Sequence, residues 1–144
     1  MPVVLVVEDD PGDVFLVQRA FAKANVKCDL HFAVDGDQAV AYISGEADFA
    51  DRAAHPLPSL VLLDLKLPRR SGLEVLAWLK RQPDLKGVPV IVLTSSNQAA
   101  DLKKAYELGA NSYLVKPVNT EGLAQMVEAI DAYWMRLNLT PKMP

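Results

Sequence analysis

The sequence predicts an α/β fold, a doubly wound parallel sheet of five strands in the order 2-1-3-4-5 flanked by five helices. Three observations predict it. Short apolar runs alternate five times with longer segments of helical periodicity. Four of those runs are rich in Val, Ile and Leu without strict alternation, the pattern of strands covered on both faces. The remaining run alternates apolar and polar residues, which suits an edge, and this order puts the second strand at an edge.

The strands are expected at 3–7 (VVLVV), 28–34 (CDLHFAV), 59–63 (SLVLL), 88–93 (VPVIVL) and 112–116 (SYLVK). In 28–34, Leu30, Phe32 and Val34 alternate with Asp29, His31 and Ala33. The first helix is expected at 11–24, with Val14, Val17, Phe21 and Ala24 on one face and Pro11 in the first turn, where its missing N–H costs nothing. A shorter helix over 36–44 carries Ala39, Val40 and Ile43. In 72–81, Leu73, Leu76 and Leu79 share a face, and Ser71 with Glu74 reads as a capping box. A fourth helix covers 98–108, with Gly109 placed to end it. The last, about 120–136, puts Leu123, Val127, Ile130 and Trp134 on one stripe. This is the flavodoxin-like order of strands. The connection 45–58 is long for such a domain and reads as a tolerated surface insertion.

Composition narrows the function. The chain has 144 residues, with 15 Lys and Arg against 18 Asp and Glu for a net charge of −3. That length suits one domain over 1–144, with a core at about 3–136 and a short tail at 137–144. Mild acidity gives no electrostatic reason to expect nucleic acid as a direct partner. The single cysteine excludes an internal disulfide framework, and with two histidines it excludes a Cys/His zinc site. No apolar stretch approaches the ~20 residues that cross a bilayer, so no membrane role is expected. The amino terminus has no basic region and meets Glu8 at once, unlike a secretory signal. A cytoplasmic protein is expected.

In open α/β sheets, ligands bind beyond the carboxyl ends of the strands, beside the point where strand order reverses. Those ends carry Glu8-Asp9-Asp10, Asp64, Thr94-Ser95 and Lys116-Pro117. With the first and third strands adjacent, Glu8, Asp9 and Asp64 converge. Three carboxylates in one crevice repel one another unless a cation intervenes. A hard divalent ion such as Mg²⁺ suits an all-oxygen site, with Mn²⁺ or Ca²⁺ able to substitute. Lys116 and the Thr94 hydroxyl beside a carboxylate suit a phosphoryl group, whose charge spreads over its equatorial oxygens.

These residues resemble the receiver domain of two-component response regulators, the CheY-like family. The matching pieces are Glu8-Asp9, the segment Asp64-Leu65-Lys66-Leu67-Pro68 followed by Gly72, Thr94-Ser95, Lys116-Pro117, and Tyr113 three residues before the lysine. The resemblance covers roughly residues 3–136. It implies that Asp64 accepts a phosphoryl group from a phosphohistidine on a sensor histidine kinase. It implies that Asp9 ligates Mg²⁺ directly, Glu8 mainly through water, and Lys66 by its backbone carbonyl. Lys116 is then a phosphoryl contact, Thr94 and Tyr113 the switch pair, and the Lys116-Pro117 bond cis. Such a protein is a phosphoacceptor switch, not a metabolic enzyme; it catalyses only its own phosphorylation and slow autodephosphorylation. Lys66 and Ser96 occupy positions that this family varies to tune the phosphoryl lifetime.

Few residues follow the last helix, so the readout is expected on the domain's own surface, at the face of the fourth helix, fifth strand and fifth helix. The long 45–58 connection and the apolar end Trp134-Met135-Arg136-Leu137-Asn138-Leu139 resemble stand-alone regulators paired with bacterial phytochrome-type kinases, which implies a homodimer through that face. Other residues read plainly: Cys28 as a buried thiol, His31 as an edge-strand histidine, His55 as solvated, Trp78 as half-buried and Lys103-Lys104 as a solvent face. Arg69-Arg70 reads as a solvated loop or a kinase contact. A flavin carrier is disfavoured because three carboxylates would repel the flavin phosphate. A haloacid-dehalogenase-type phosphatase is disfavoured because its Asp-x-Asp belongs on the first strand, and an unphosphorylated adaptor because the acidic site and Lys116 are intact.

Overall fold

In the computed structural model, which describes residues 1–141, β1 (Val3–Val7), β2 (Asp29–Ala33), β3 (Leu60–Leu63), β4 (Val90–Thr94) and β5 (Ser112–Val115) form one parallel sheet. Its order is β2-β1-β3-β4-β5, as expected. The helices are α1 (Pro11–Lys23), α2 (Gly36–Ser44), α3 (Gly72–Lys80), α4 (Ala99–Glu107) and α5 (Thr120–Ile130). Alternation along β1 separates two cores. Val4 and Val6 meet Val17 and Phe21 of α1 and Leu123 and Val127 of α5. Leu5 and Val7 meet Val40 and Ile43 of α2, Val75 and Leu79 of α3 and Ala105 of α4. Both faces of the central strands are therefore dry, which is why their sequences run apolar without alternation.

Local signals set the ends. Asp10 accepts from Gly12 N ahead of α1, the Ser71–Glu74 capping box opens α3, and Gly109 follows α4 at φ 106°. β4 begins only at Val90, since Pro89 has no N–H and offers just its carbonyl, which accepts from Val61. In β2, Leu30 and Phe32 pack toward α1 and α5, but Ala33 on the other face is fully buried, so the expected wetter face is not uniform. Val34 is 48% exposed beyond the strand, and Cys28 is half-buried rather than buried.

Three further expectations are corrected. The Lys116-Pro117 bond is trans, like every peptide bond described; the tertiary amide itself favours trans by about 0.5–1 kcal/mol. The helix expected to 136 stops as α-helix at Ile130. It continues through Asp131–Leu137 as a wider π-type coil that turns Trp134 and Met135 onto the α1/α5 core. The 45–58 connection is not a loose insertion. Arg52 donates to Tyr42 O (2.8 Å) and Ile43 O (2.7 Å) in the last turn of α2, and to His55 O (3.2 Å) within the connection itself. Phe49 and His55 pack on Tyr42 at ring separations of 5.3 and 5.8 Å, so His55 is half-buried, not solvated.

Two glycines allow the loops at the sheet's carboxyl edge to close up. A Cβ on Gly72 would lie 2.0 Å from Asp64 O, and one on Gly36 would lie 1.8 Å from Arg70 O. Neither backbone oxygen can yield cheaply. Gly72→Ala is expected to lower unfolding stability by about 2–3 kcal/mol, read by urea denaturation, because the added methyl pushes on the backbone beside Asp64.

Candidate functional site

The strand order decides which side chains meet. β1 pairs with both β2 and β3 in parallel register, Val7 standing opposite Leu63, so Glu8 and Asp64 leave their strands side by side. Carboxylate oxygens of Glu8, Asp9 and Asp64 all lie within 4.8 Å of one another. Glu8 and Asp64 are buried, at 3% and 7% exposure, while Asp9 is exposed. Lys116 follows β5 and reaches across the end of β4, donating from Nζ to Asp64 Oδ2 at 3.1 Å and to Glu8 Oε2. Thr94, the last residue of β4, is fully buried.

Sequence reasoning missed one member. Asp13, in the first turn of α1, accepts from Lys116 Nζ at 3.1 Å. A carboxylate there also suits the helix's positive end, so the sequence marks it only as a helix-start acid.

Charge and burial pull against each other here. Burial pushes the Glu8 carboxyl up to about 7. The Lys116 hydrogen bond, the Asp10 N–H (3.1 Å) and the lysine's charge oppose that rise, and Asp64's charge adds to it. For Lys116, burial alone would lower the value. The hydrogen bond to Glu8 and the fields of Asp64 and Glu8 win, holding the ammonium above its ordinary range. The lysine is therefore a fixed positive charge at neutral pH, whereas Glu8 shares its proton. The oxygen-only donor set fits a hard divalent cation, and binding one would displace the proton from Glu8.

The remaining expected residues surround this cup. The Lys66 N–H points to Asp64 Oδ1 at 3.4 Å, and the Lys66 ammonium, largely exposed, stands 3.9 Å from Asp101. Tyr113 on β5 donates from its hydroxyl to Ser96 O at 3.0 Å, away from the carboxylates. Arg69 is largely exposed, as a solvated loop would have it, yet it pairs with Asp35 (3.6 Å), and the half-buried Arg70 pairs with Asp37 (3.3 Å), tying the β3–α3 loop to the start of α2. Lys103 faces solvent as expected, beside Glu107. Around β5 and α5 the surface is apolar. A groove of about 350 Å³ is lined by Leu114, Met126, Ile130 and Trp134, and Val115, Val118 and Leu137 are exposed nearby. Among the described residues, no helix is long and apolar enough to cross a membrane.

The family described as the response regulator receiver domain matches residues 4–128. Response regulator Rcp1 of Synechocystis is 39% identical over 139 residues, 96% of this chain and 92% of its own. The Mn²⁺-bound crystal form of Rcp1 superposes with a TM-score of 0.87 at 38% identity, covering 99% of this chain and all of that one. RPA3017, described in red light signaling of R. palustris, gives 0.94 at 37% identity, with 99% and 100% covered. The phosphorylated cyanobacterial phytochrome response regulator RcpA gives 0.90 at 36% identity, with 98% and 99% covered.

The charge balance has a measurable consequence. Folded Glu8 titrates near 7 against 4.5 in the unfolded chain, so between those values the folded state binds more protons and stability falls as pH rises. Lys116 contributes equally throughout, because its charge persists in both states below 10.5. With chelator present, the melting temperature at pH 8 is expected to lie about 3–6 °C below that at pH 5.5. Glu8→Gln should flatten the slope, and millimolar Mg²⁺ should raise stability most at the higher pH.

Proposed function

The chain belongs to the response regulator receiver-domain family and is a response regulator of two-component signalling; from that premise we propose that Asp64 is its phosphoacceptor. A carboxylate oxygen of Asp64 bonds to phosphorus as the phosphorus–nitrogen bond of a kinase phosphohistidine breaks. The departing imidazole keeps the electron pair and takes up a proton. Glu8, Asp9 and Asp64, with the Lys66 backbone carbonyl, would hold Mg²⁺, with Mn²⁺ or Ca²⁺ able to substitute. When bound, such an ion would supply positive charge against the phosphoryl oxygens. Lys116, already 3.1 Å from Asp64, transfers its donation to a phosphoryl oxygen. Thr94 donates its hydroxyl to another oxygen, and Tyr113 changes rotamer with it.

One observation carries this reading: a buried acid, Asp64, shares a cup of three converging carboxylates with a lysine held protonated. Metal charge is needed to admit an anion there, and the lysine and the buried threonine give donors that strengthen only once the phosphoryl group is bound. That difference is what shifts a two-state equilibrium. The Mn²⁺ form of Rcp1 and the phosphorylated form of RcpA support both halves of the site.

Residues 3–136 act as one receiver unit whose output is its own surface, and whose only catalysis is self-phosphorylation and slow autodephosphorylation. The red-light and phytochrome relatives support a bacterial phytochrome-type histidine kinase as donor. The apolar groove beside Trp134 supports a homodimer through α4, β5 and α5. The net negative charge argues against direct nucleic-acid contact, and the absence of a spanning helix among the described residues fits action in the cytoplasm.

Incubation with acetyl phosphate and Mg²⁺ is expected to add one HPO₃ to the intact mass; chelator or Asp64→Asn should abolish the adduct. A persistent adduct in Asp64→Asn would move the acceptor elsewhere. Tyr113→Ala should leave the adduct intact while weakening phosphorylation-dependent partner binding or dimer formation, followed by light scattering.

A further inference from the structure

The Lys116 ammonium carries three N–H donors and meets three carboxylates: Glu8 Oε2, Asp64 Oδ2 at 3.1 Å and Asp13 Oδ2 at 3.1 Å. Two of these acceptors are shared. Glu8 and Asp64, with Asp9, form the cluster whose oxygens lie close enough to hold one ion. Asp13 stands outside that cluster and enters from another element, the first turn of α1. It is the one acid of the three that the lysine does not share with the ion.

The freedom of the lysine is narrow. Its backbone N–H is bonded to Thr94 O at 2.8 Å, so only the side chain can swing. On the α1 side a cavity of about 50 Å³ lies against the Asp13–Lys116 pair, walled by Leu16, Val17, Leu93 and Leu123. Among the described residues lining it, Asp13 offers the only side-chain acceptor. The Lys116 side chain is 14% exposed, so an ammonium that gave up Glu8 and Asp64 and found no other partner would be a costly unpaired charge. α1 does not need Asp13 in order to begin, because Asp10 already caps it by accepting from Gly12 N at 2.8 Å.

We infer that Asp13 is a positioning residue: it is the acceptor that keeps Lys116 at the rim of the cup while Glu8 and Asp64 turn to a divalent ion. This rests on Glu8, Asp9 and Asp64 being the ligands of that ion. Lysine and ion draw on the same oxygens, and one must yield them to the other. With Asp13 present the ammonium yields them and stays partnered beside Asp64, where a phosphoryl oxygen can receive it. Without Asp13 all of its donation falls on Glu8 and Asp64, and the lysine competes with the ion.

The test measures Mn²⁺ binding by the full chain at pH 8, read from loss of the free-ion EPR signal. Asp13→Ala should weaken binding about three- to tenfold, the factor carried by one partly exposed charge-assisted hydrogen bond. The lost field of a carboxylate would also weaken binding, and the lysine separates the two causes. In a Lys116→Met background the same Asp13→Ala change should alter affinity by less than about twofold, because the competitor is gone. Equal weakening in both backgrounds would make Asp13 a source of negative charge alone and overturn the inference. So would an affinity unchanged within about twofold in Asp13→Ala by itself, the result given by a helix-start acid with no hold on the lysine. If Asp13→Ala does not fold, Asp13→Ser, a shorter side chain that suits a helix start, takes its place in both backgrounds. Failure of the wild type to bind Mn²⁺, or undiminished binding by Asp9→Asn, would instead overturn the ligand set on which the inference stands.

Discussion

One ammonium group keeps three acids together. Lys116 touches Glu8, Asp13 and Asp64, which come from the end of β1, the start of α1 and the end of β3. Two of these acids are almost wholly removed from water, and a carboxylate so placed without a partner would shed its charge. The sheet order sets the lysine's reach. β5 lies two strands from β3, so the side chain must pass the end of β4, where Thr94 sits. The pairing is incomplete all the same. One positive charge faces more than one negative, and burial pushes the Glu8 carboxyl up to about 7 despite the lysine. The cup is stable enough to persist and deficient enough in positive charge to attract a cation.

Most of the frame was legible from apolar runs and strand ends. β1, β3 and β5 fall within a residue of their expected bounds, and the edge position of β2 followed from its alternation. Glu8, Asp9, Asp64, Thr94 and Lys116 were legible for one reason, namely that position at a strand's carboxyl end is a property of sequence order. What escaped depended on distances between segments. Asp13 looks like any acid opening a helix, and only the reach of Lys116 makes it part of the site. The Ser96–Asp101 hydrogen bond bridges a turn whose shape no pattern encodes. The 45–58 segment reads as a tolerated surface insertion because its order comes from Arg52 on carbonyls of α2, and a carbonyl leaves no mark in a sequence. The wider coil after Ile130 keeps the apolar spacing of a helix and so was read as one.

The two flanks of the cup are built to different standards. On the α2/α3 side, Gly36 and Gly72 bring backbones into direct contact, Arg69 and Arg70 bind acids at the start of α2, and Arg52 closes its other end. On the α4 side only Ala105 of the helix is buried, and Leu102 and Tyr106 stand 41% and 50% exposed. Strain arising at Asp64 therefore meets resistance in one direction and compliance in the other.

A helix seated on a single methyl group has little stake in the hydrophobic interior. Its outward residues can be exchanged for others with scant penalty to the sheet beneath, whereas almost no residue around the acids enjoys that freedom. Lineages descended from such a chain can thus acquire new listeners by rewriting α4 alone, while the acidic centre that receives the message stays unaltered.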